Sequence, residues 1–586
     1  MTISIESLAC LVIGIIAVAI RWINLGAAPL DSAEAPQAIA AWHALAPSSA
    51  PGIGSIDSIL VHAGALASFA IAGPSAAAAR ALPALAGTAL ALSPLLFRNR
   101  LGRLGTILCM VFLALSPSAV VDSRHMTGVG VAMLGTVAML AAIDRYIISS
   151  DKTYAVLAGI ALAVTLLADF GSLAILVMLA GGGALAALTD EEGDLSGEAL
   201  QQVAAKFPWM AAIIGLGTSV ILLSTLFYLT PGGLASAADQ LARFFGGLVS
   251  RPANTPYLGL VIFAYEPFLL IFGVLGAWSA SQSSQVWQRF TAGWAIAAII
   301  VSLAYPGAEP AHSLWVAVPM AALTALLIAG LLESSQRAPI VAVAIEAGGT
   351  IALIAMAIGS LARQLASPQV IPLGSGNASI PYNIVLLIVW LILGAVLFMT
   401  IASVWGQGAA WRGFGLGAAV VGLAASLGIS AAASFTRPTS PYELYNQAPT
   451  DPALPVLVST AEDISLIATT DRHDAQIIVE GSPNGPLAWA LRDFTHVQYA
   501  SSVPASTQSV MVITPAAGTH PELGSNYVGQ GFIVTRQWTP AGLDFQHFAT
   551  WLVYRTDDAG PSAQDRVILW VREDVYQLVP KTSAPQ

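Results

Sequence analysis

Long apolar runs broken by short polar turns fill the chain up to about residue 436. They lie near 7–26, 81–97, 104–121, 127–148, 154–169, 172–188, 209–229, 258–279, 290–305, 313–333, 338–362, 381–404 and 414–434. A helix needs about 20 apolar residues to cross hydrocarbon, so the runs predict about thirteen transmembrane helices. The segment 57–73 is apolar but carries Asp57 and His62, and reads as a helix lying at the membrane interface. Beyond residue 437 the period changes. Short β-branched runs (Leu454–Ser459, Ala475–Glu480, Ser509–Thr514, Phe532–Trp538, Val567–Arg572) alternate with amphipathic stretches (Ala461–Thr469, Pro486–Phe494, Phe545–Tyr554). That alternation predicts an α/β domain over 437–586. The prolines of Thr436-Arg437-Pro438-Thr439-Ser440-Pro441 cannot continue a helix and make this stretch a linker from the multi-span domain, 1–436. The expected fold is a polytopic α-helical membrane protein with a C-terminal extracytoplasmic α/β domain.

Composition agrees. Of 586 residues, 56% are hydrophobic and 10% charged, with a mean hydropathy of +0.74. Arg98, Arg100, Arg103, Lys152, Arg289, Arg337 and Arg412 fall on alternate turns, and the positive-inside rule places them in the cytoplasm. The acidic insert Thr189–Phe207 goes with them. The amino terminus is then cytoplasmic, and the first loop (27–80) and the C-terminal domain lie outside a multi-pass protein of the cell membrane. A net charge of −10 excludes nucleic acid as a partner, because phosphate binding needs a basic patch. Cys10 and Cys109 both sit in apolar runs, which predicts neither a disulfide nor a cysteine metal site.

Ionisable groups at the edge of the hydrocarbon are costly and mark candidate sites. The first loop holds Asp31 and Glu34, three residues apart and on one face of a helix running to about Leu45. They are the catalytic candidates, as general base toward a hydroxyl or as ligands of a divalent cation (Mg, Mn or Zn). The same spacing makes a capping box, and both readings stand. Arg124 and Arg80, at comparable depth, offer planar donor forks to a phosphate; snorkelling to headgroups is the alternative, and Arg21 is the weaker third candidate. Asp122 and His125 flank Arg124, with Asp122 a potential ion-pair partner for it. His125 and His62 lack any tight metal-ligand spacing. Glu266, in Tyr265-Glu266-Pro267, is a carboxylate inside the eighth span; Asp169 ends the fifth and reads as a helix cap. Gly181-Gly182-Gly183 lacks the Lys-Ser/Thr of a phosphate loop and reads as close helix packing. Arg492-Asp493 reads as a surface ion pair.

The order of these features resembles the GT-C superfamily of polytopic glycosyltransferases, such as protein O-mannosyltransferases and the aminoarabinose transferases that modify lipid A. The resemblance rests on the acidic first loop, on Arg80-Ala81-Leu82-Pro83-Ala84-Leu85-Ala86-Gly87, and on Ser116-Pro117-Ser118-Ala119-Val120-Val121-Asp122-Ser123-Arg124. Leu226–Leu234, Ala264–Pro267 and Pro486–Phe494 extend it toward a subgroup of archaea and green non-sulfur bacteria, described as glycosyltransferase-like or flippase-associated. The resemblance implies transfer of a sugar from a polyprenyl-phosphate carrier to a protein, lipid or glycan acceptor at the outer membrane face. It also implies a catalytic acid in the first loop, often within an Asp-Glu pair, sometimes with a divalent cation. This chain departs from that pattern, since Ala33 precedes Glu34 where the aspartate is expected, and Asp31 has to serve from two residues upstream. The departure favours the second reading, a catalytically degenerate subunit that holds partner subunits of a membrane complex. A third reading, a flippase or transporter, lacks the paired discontinuous helices such proteins use.

Overall fold

The computed structural model describes residues 4–45, 56–189, 205–226, 233–251, 255–333, 339–372, 379–516 and 523–578. The motif at Leu226–Leu234 and the acidic insert at Thr189–Phe207 therefore fall largely outside the described residues.

Among the described residues, eight helices are long and apolar enough to cross a membrane, or nine if one bent pair counts as a span. The difference from thirteen has two physical sources. The runs at 81–97 and 104–121 form one apolar stretch, Ala81–Leu115, broken by a 3-10 turn at Ser93–Phe97 and by non-helical Gly102 (φ 72°). Three further runs make shorter helices, Lys152–Ala168, Ser172–Leu188 and Trp209–Ser224, and the segment read as interfacial makes another, Ile59–Ala72. The bent pair is Leu258–Tyr265 with Pro267–Ser281, turned by 96° at Glu266. Proline has no N–H and pushes the residue before it out of the helical region, and Glu266 is accordingly at φ −117°, ψ 38°.

Glycines set the closest helix crossings. A Cβ on Gly159 would lie 2.1 Å from the Ala212 carbonyl, and one on Gly182 would lie 2.8 Å from the Trp294 nitrogen. The glycine triplet thus serves packing between Ser172–Leu188 and Val286–Ala304.

The C-terminal region folds into a five-stranded mixed sheet of β1 (Ile477–Glu480), β2 (Val497–Ala500), β3 (Met511–Pro515), β4 (Tyr527–Gln537) and β5 (Ser562–Arg572), in the order β2-β1-β3-β5-β4. β1 pairs in parallel with β2 and β3, and β5 runs antiparallel to β3 and β4. The strand expected at Leu454–Ser459 is instead part of a helix, Ala453–Thr469. Its buried Leu454, Leu457, Ala461 and Ile464 recur at helical spacing, a period that a six-residue β-branched window hides. This helix and the strands share one core, with Leu457, Ile477, Val479, Met511, Ile513 and Leu569 inside.

Candidate active site

The first loop folds around one ion pair. Asp31 starts the helix Glu34–Leu45: its Oδ1 accepts the N–H groups of Ala33 and Glu34 at 2.9 Å each, and its own N–H donates to Glu34 Oε2 at 3.2 Å. The capping box is therefore present. Glu34 is buried, 2% exposed. Its Oε1 accepts from Arg80 Nε at 2.7 Å and from the Met126 N–H at 2.8 Å, and its Oε2 accepts from Arg80 Nη2 at 2.5 Å. Burial raises the cost of its charge, but the Arg80 guanidinium holds its carboxyl below the ordinary range.

These bonds correct two expectations. Arg80 spends the rest of its fork on the carbonyls of Leu25 (3.1 Å), Ala28 (2.8 Å) and Pro29 (3.1 Å), so all five donors serve the loop and none is left for a phosphate. Glu34 has both oxygens committed to Arg80 and to backbone N–H groups, which leaves it neither a free base nor a metal ligand. Among the described residues no three His, Cys, Asp or Glu side chains come together as a metal site. No step below runs through a divalent cation.

Asp31 keeps Oδ2 for other work. It lines two adjoining cavities at once, as do Glu34 and His125. The smaller, about 100 Å³, is walled by Arg124, Arg80, Asn24, Pro29 and Phe435. The larger, about 320 Å³, is walled by Gln37, Asp57, Asp122, Asp169, Arg243 and Glu309, and is roofed by Tyr445, Gln447 and Ala448, in the irregular stretch that continues the linker to the helix Ala453–Thr469. Burial, reinforced by the Glu34 charge, pushes the Asp31 carboxyl above the ordinary range.

Arg124 faces the smaller cavity. Its Nη1 donates to the carbonyls of Ile20 (2.9 Å), Arg21 (3.2 Å) and Ile23 (2.9 Å), its Nη2 to Asn24 (3.1 Å), and its guanidinium lies 4.6 Å over the Phe435 ring. It thus caps the C-terminus of the helix Ile5–Trp22. Burial lowers its pKa to about 10, which still leaves a cation at neutral pH. Asp122 does not pair with Arg124 as expected. It accepts from Thr127 Oγ1 at 2.5 Å, and burial raises its pKa to about 6. His125 Nδ1 bonds the Val121 carbonyl at 2.9 Å. Arg21 is structural, donating to the carbonyls of Ala17, Leu113 and Ala114. Glu266 lines neither cavity; its Oε1 accepts from Ser116 Oγ (2.5 Å) and the Ser118 N–H (2.8 Å), at the start of the helix Pro117–Asp122.

The sequence reading missed the far wall. The Glu309 N–H donates to His312 Nδ1 at 2.8 Å, so Nε2 carries the proton and donates to Asp169 Oδ2 at 3.0 Å. The Gly171 N–H completes that oxygen's shell at 2.7 Å. Asp169 is thus more than a cap. The only available signal was a polar residue at the end of an apolar run, which most spans also show.

No protein-family model matches this sequence, and no curated protein does. Solved structures do. The crystal structure of ArnT from Cupriavidus metallidurans bound to undecaprenyl phosphate matches with a TM-score of 0.55 at 13% identity, over 98% of this chain and 99% of that chain. ArnT from the same organism in the apo state matches with a TM-score of 0.53 at 14% identity, over 86% and 92%. The chain has a GT-C fold. The match runs through both the helical part and the C-terminal sheet domain, so the GT-C fold here includes the linker that roofs the larger cavity. Within it, Asp31 and Arg124 both face the cavities with hydrogen-bonding capacity left over.

Proposed function

We propose that this GT-C protein is a membrane glycosyltransferase that takes a sugar from a polyprenyl-phosphate carrier and passes it to a hydroxyl of a protein, lipid or glycan acceptor at the outer membrane face. One observation carries the reading: Asp31 stands in the wall shared by a small cavity facing Arg124 and a larger one lined by carboxylates and glutamines. A phosphate suits the first, through the Arg124 cation. A hydroxyl-rich sugar and its acceptor suit the second, whose carboxylate and amide oxygens accept O–H bonds.

The acceptor oxygen attacks the anomeric carbon, and its proton passes to Asp31. As that bond forms, the bond from the anomeric carbon to the carrier phosphate oxygen breaks, and the phosphate leaves with the electron pair. Arg124 stabilises the charge that develops there, and a phosphate is a weak enough base to leave without a general acid. The raised pKa of Asp31 makes it a better base than an exposed aspartate.

The test offers purified protein radiolabelled polyprenyl-phosphate sugars and compares it with Asp31→Asn. Transfer that vanishes in a variant of unchanged thermal stability supports the reading. A second reading, a degenerate subunit that binds partners without turnover, is favoured by Ala33 standing where the family's aspartate is expected. Absence of turnover with every donor, together with co-purifying membrane subunits, would replace the first reading by the second.

A further inference from the structure

The helix Gly233–Gly247 divides into three faces. At about 100° per residue, Leu234, Leu241, Phe245 and Leu248 (in the turn just after it) fall within about 60° of one another. All four are exposed, Phe245 at 58%. A second face is buried in the protein: Phe244 stacks on Tyr305 with centroids 5.3 Å apart, and Gln240 Nε2 donates to the Asp57 carbonyl at 3.1 Å. The third face carries Asp239 and Arg243. Arg243 Nη1 donates to Asp57 Oδ1 at 2.6 Å, and its guanidinium lies 4.9 Å over Phe170. Asp57, Phe170 and Arg243 all line the larger cavity.

The position of the helix is fixed by its contacts. The Tyr305 hydroxyl donates to the Phe244 carbonyl at 3.1 Å, and the Gly307 N–H donates to the Gly247 carbonyl at 2.8 Å. Tyr305 is the C-cap of the span Val286–Ala304. The helix therefore sits at the end of a span, and its first residue packs against the end of the apolar helix Trp209–Ser224, where a Cβ on Gly233 would lie 1.7 Å from the Ser224 carbonyl. At that level the bilayer is the surface that meets such a stripe.

We infer that Gly233–Gly247 is a membrane-surface helix, seated by Leu234, Leu241, Phe245 and Leu248 in the headgroup–acyl boundary, which carries Arg243 to the cavity wall from the lipid side. The bilayer itself is then part of what positions Asp57 and Arg243.

The test uses the full chain in nanodiscs with Cys10→Ala; Cys109, 3% exposed, is left in place. Single variants Phe245→Cys and Asp239→Cys carry an environment-sensitive fluorophore, with Leu241→Cys as a second probe of the stripe should Phe245→Cys fail to elute as a folded protein. Nitroxide lipids and aqueous iodide are the quenchers. The expected result is a stripe probe quenched several-fold more by nitroxide lipid than by iodide, with the reverse at Asp239. Equal quenching at the two positions, by either agent, overturns the inference. The readout needs no transfer activity, so its failure is separate from that of the proposed reaction.

Discussion

Replacing Arg80 by alanine should collapse the first loop rather than merely weaken the hold on a lipid phosphate. Arg80 is 3% exposed and bonds both oxygens of a carboxylate that is 2% exposed, together with three carbonyls of 25–29. Removing one partner of such a pair leaves the other charge buried and uncompensated, at a cost of about 3–5 kcal/mol. Three orphaned carbonyls cost about 1 kcal/mol or more each where water does not reach them. Glu34→Gln keeps the shape and removes the charge, so it should also destabilise, by a few kcal/mol at most. The two losses share one interaction, and a double-mutant cycle should return a coupling of about 1–3 kcal/mol. The assay is thermal unfolding of detergent-solubilised protein for wild type, each single variant and the double. A melting temperature equal to wild type for Arg80→Ala, with binding of a polyprenyl phosphate lost, would refute the reasoning and return Arg80 to the phosphate.

Three other outcomes follow from the site. Asp31 must be ionised to accept a proton and its pKa is raised, so kcat/KM should fall on the acidic side through an apparent pKa above the usual aspartate value of about 3.9; a limb at or below that value removes Asp31 as the base. Arg124→Lys keeps the charge but loses the planar fork, and should raise KM for the lipid donor about tenfold with a smaller effect on kcat, read from steady-state kinetics. Burial raises the Asp122 pKa to about 6 from its ordinary 3.8, so the native state holds the proton more tightly than the unfolded chain; stability falls as pH rises through that window, by about 3 kcal/mol at most, and Asp122→Asn should raise the melting temperature at pH 7.5 but not near pH 4.

The helical class and the C-terminal sheet domain were legible because they depend on period and composition, which one sequence carries. The span count is not confirmed, because helices such as Trp209–Ser224 are apolar but shorter than the length expected of a full crossing. At the site, Asp31 and Glu34 looked equivalent at a spacing of three. Their roles part only through Met126 and Arg80, 92 and 46 positions from Glu34. Arg124 ranked above Arg80 as a phosphate ligand, but no spacing showed that Arg80 would be fully spent. Which donors a guanidinium has left depends on carbonyls brought near by folding, and no spacing rule encodes them.

The larger cavity exists only where the helical part and the C-terminal domain meet, and that meeting turns on Glu443. Its carboxylate is 2% exposed, accepts from Tyr265 Oη at 2.5 Å and from Arg437 Nε at 2.8 Å, and has Arg555 Nε 3.7 Å away. Arg555, at φ +54°, sits in the left-handed region, 4.9 Å from the Tyr265 ring and 4.6 Å from Trp551, and donates to the Ala264 carbonyl next to the broken helix. One carboxylate thus joins the linker, the bend at Glu266 and the sheet domain. A few residues on, the linker grips the first loop: Ser32 Oγ donates to the Ala448 carbonyl at 2.9 Å, and Thr450 Oγ1 donates to the Leu30 carbonyl at 2.7 Å. Glu443→Gln leaves the buried Arg555 guanidinium and the one-third exposed Arg437 without their counter-charge; the buried partner sets a loss of at most about 3–5 kcal/mol, and the exposed one adds little. The strain should fall on the roof, not on the spans. Chymotrypsin should cut after Tyr442 or Tyr445 several-fold faster in the variant, and kcat should fall more than donor affinity, because Arg124 remains on the helix end that it caps. A variant cut no faster than wild type, with unchanged kcat, would mean that the roof is held from elsewhere and that Glu443 only fills space.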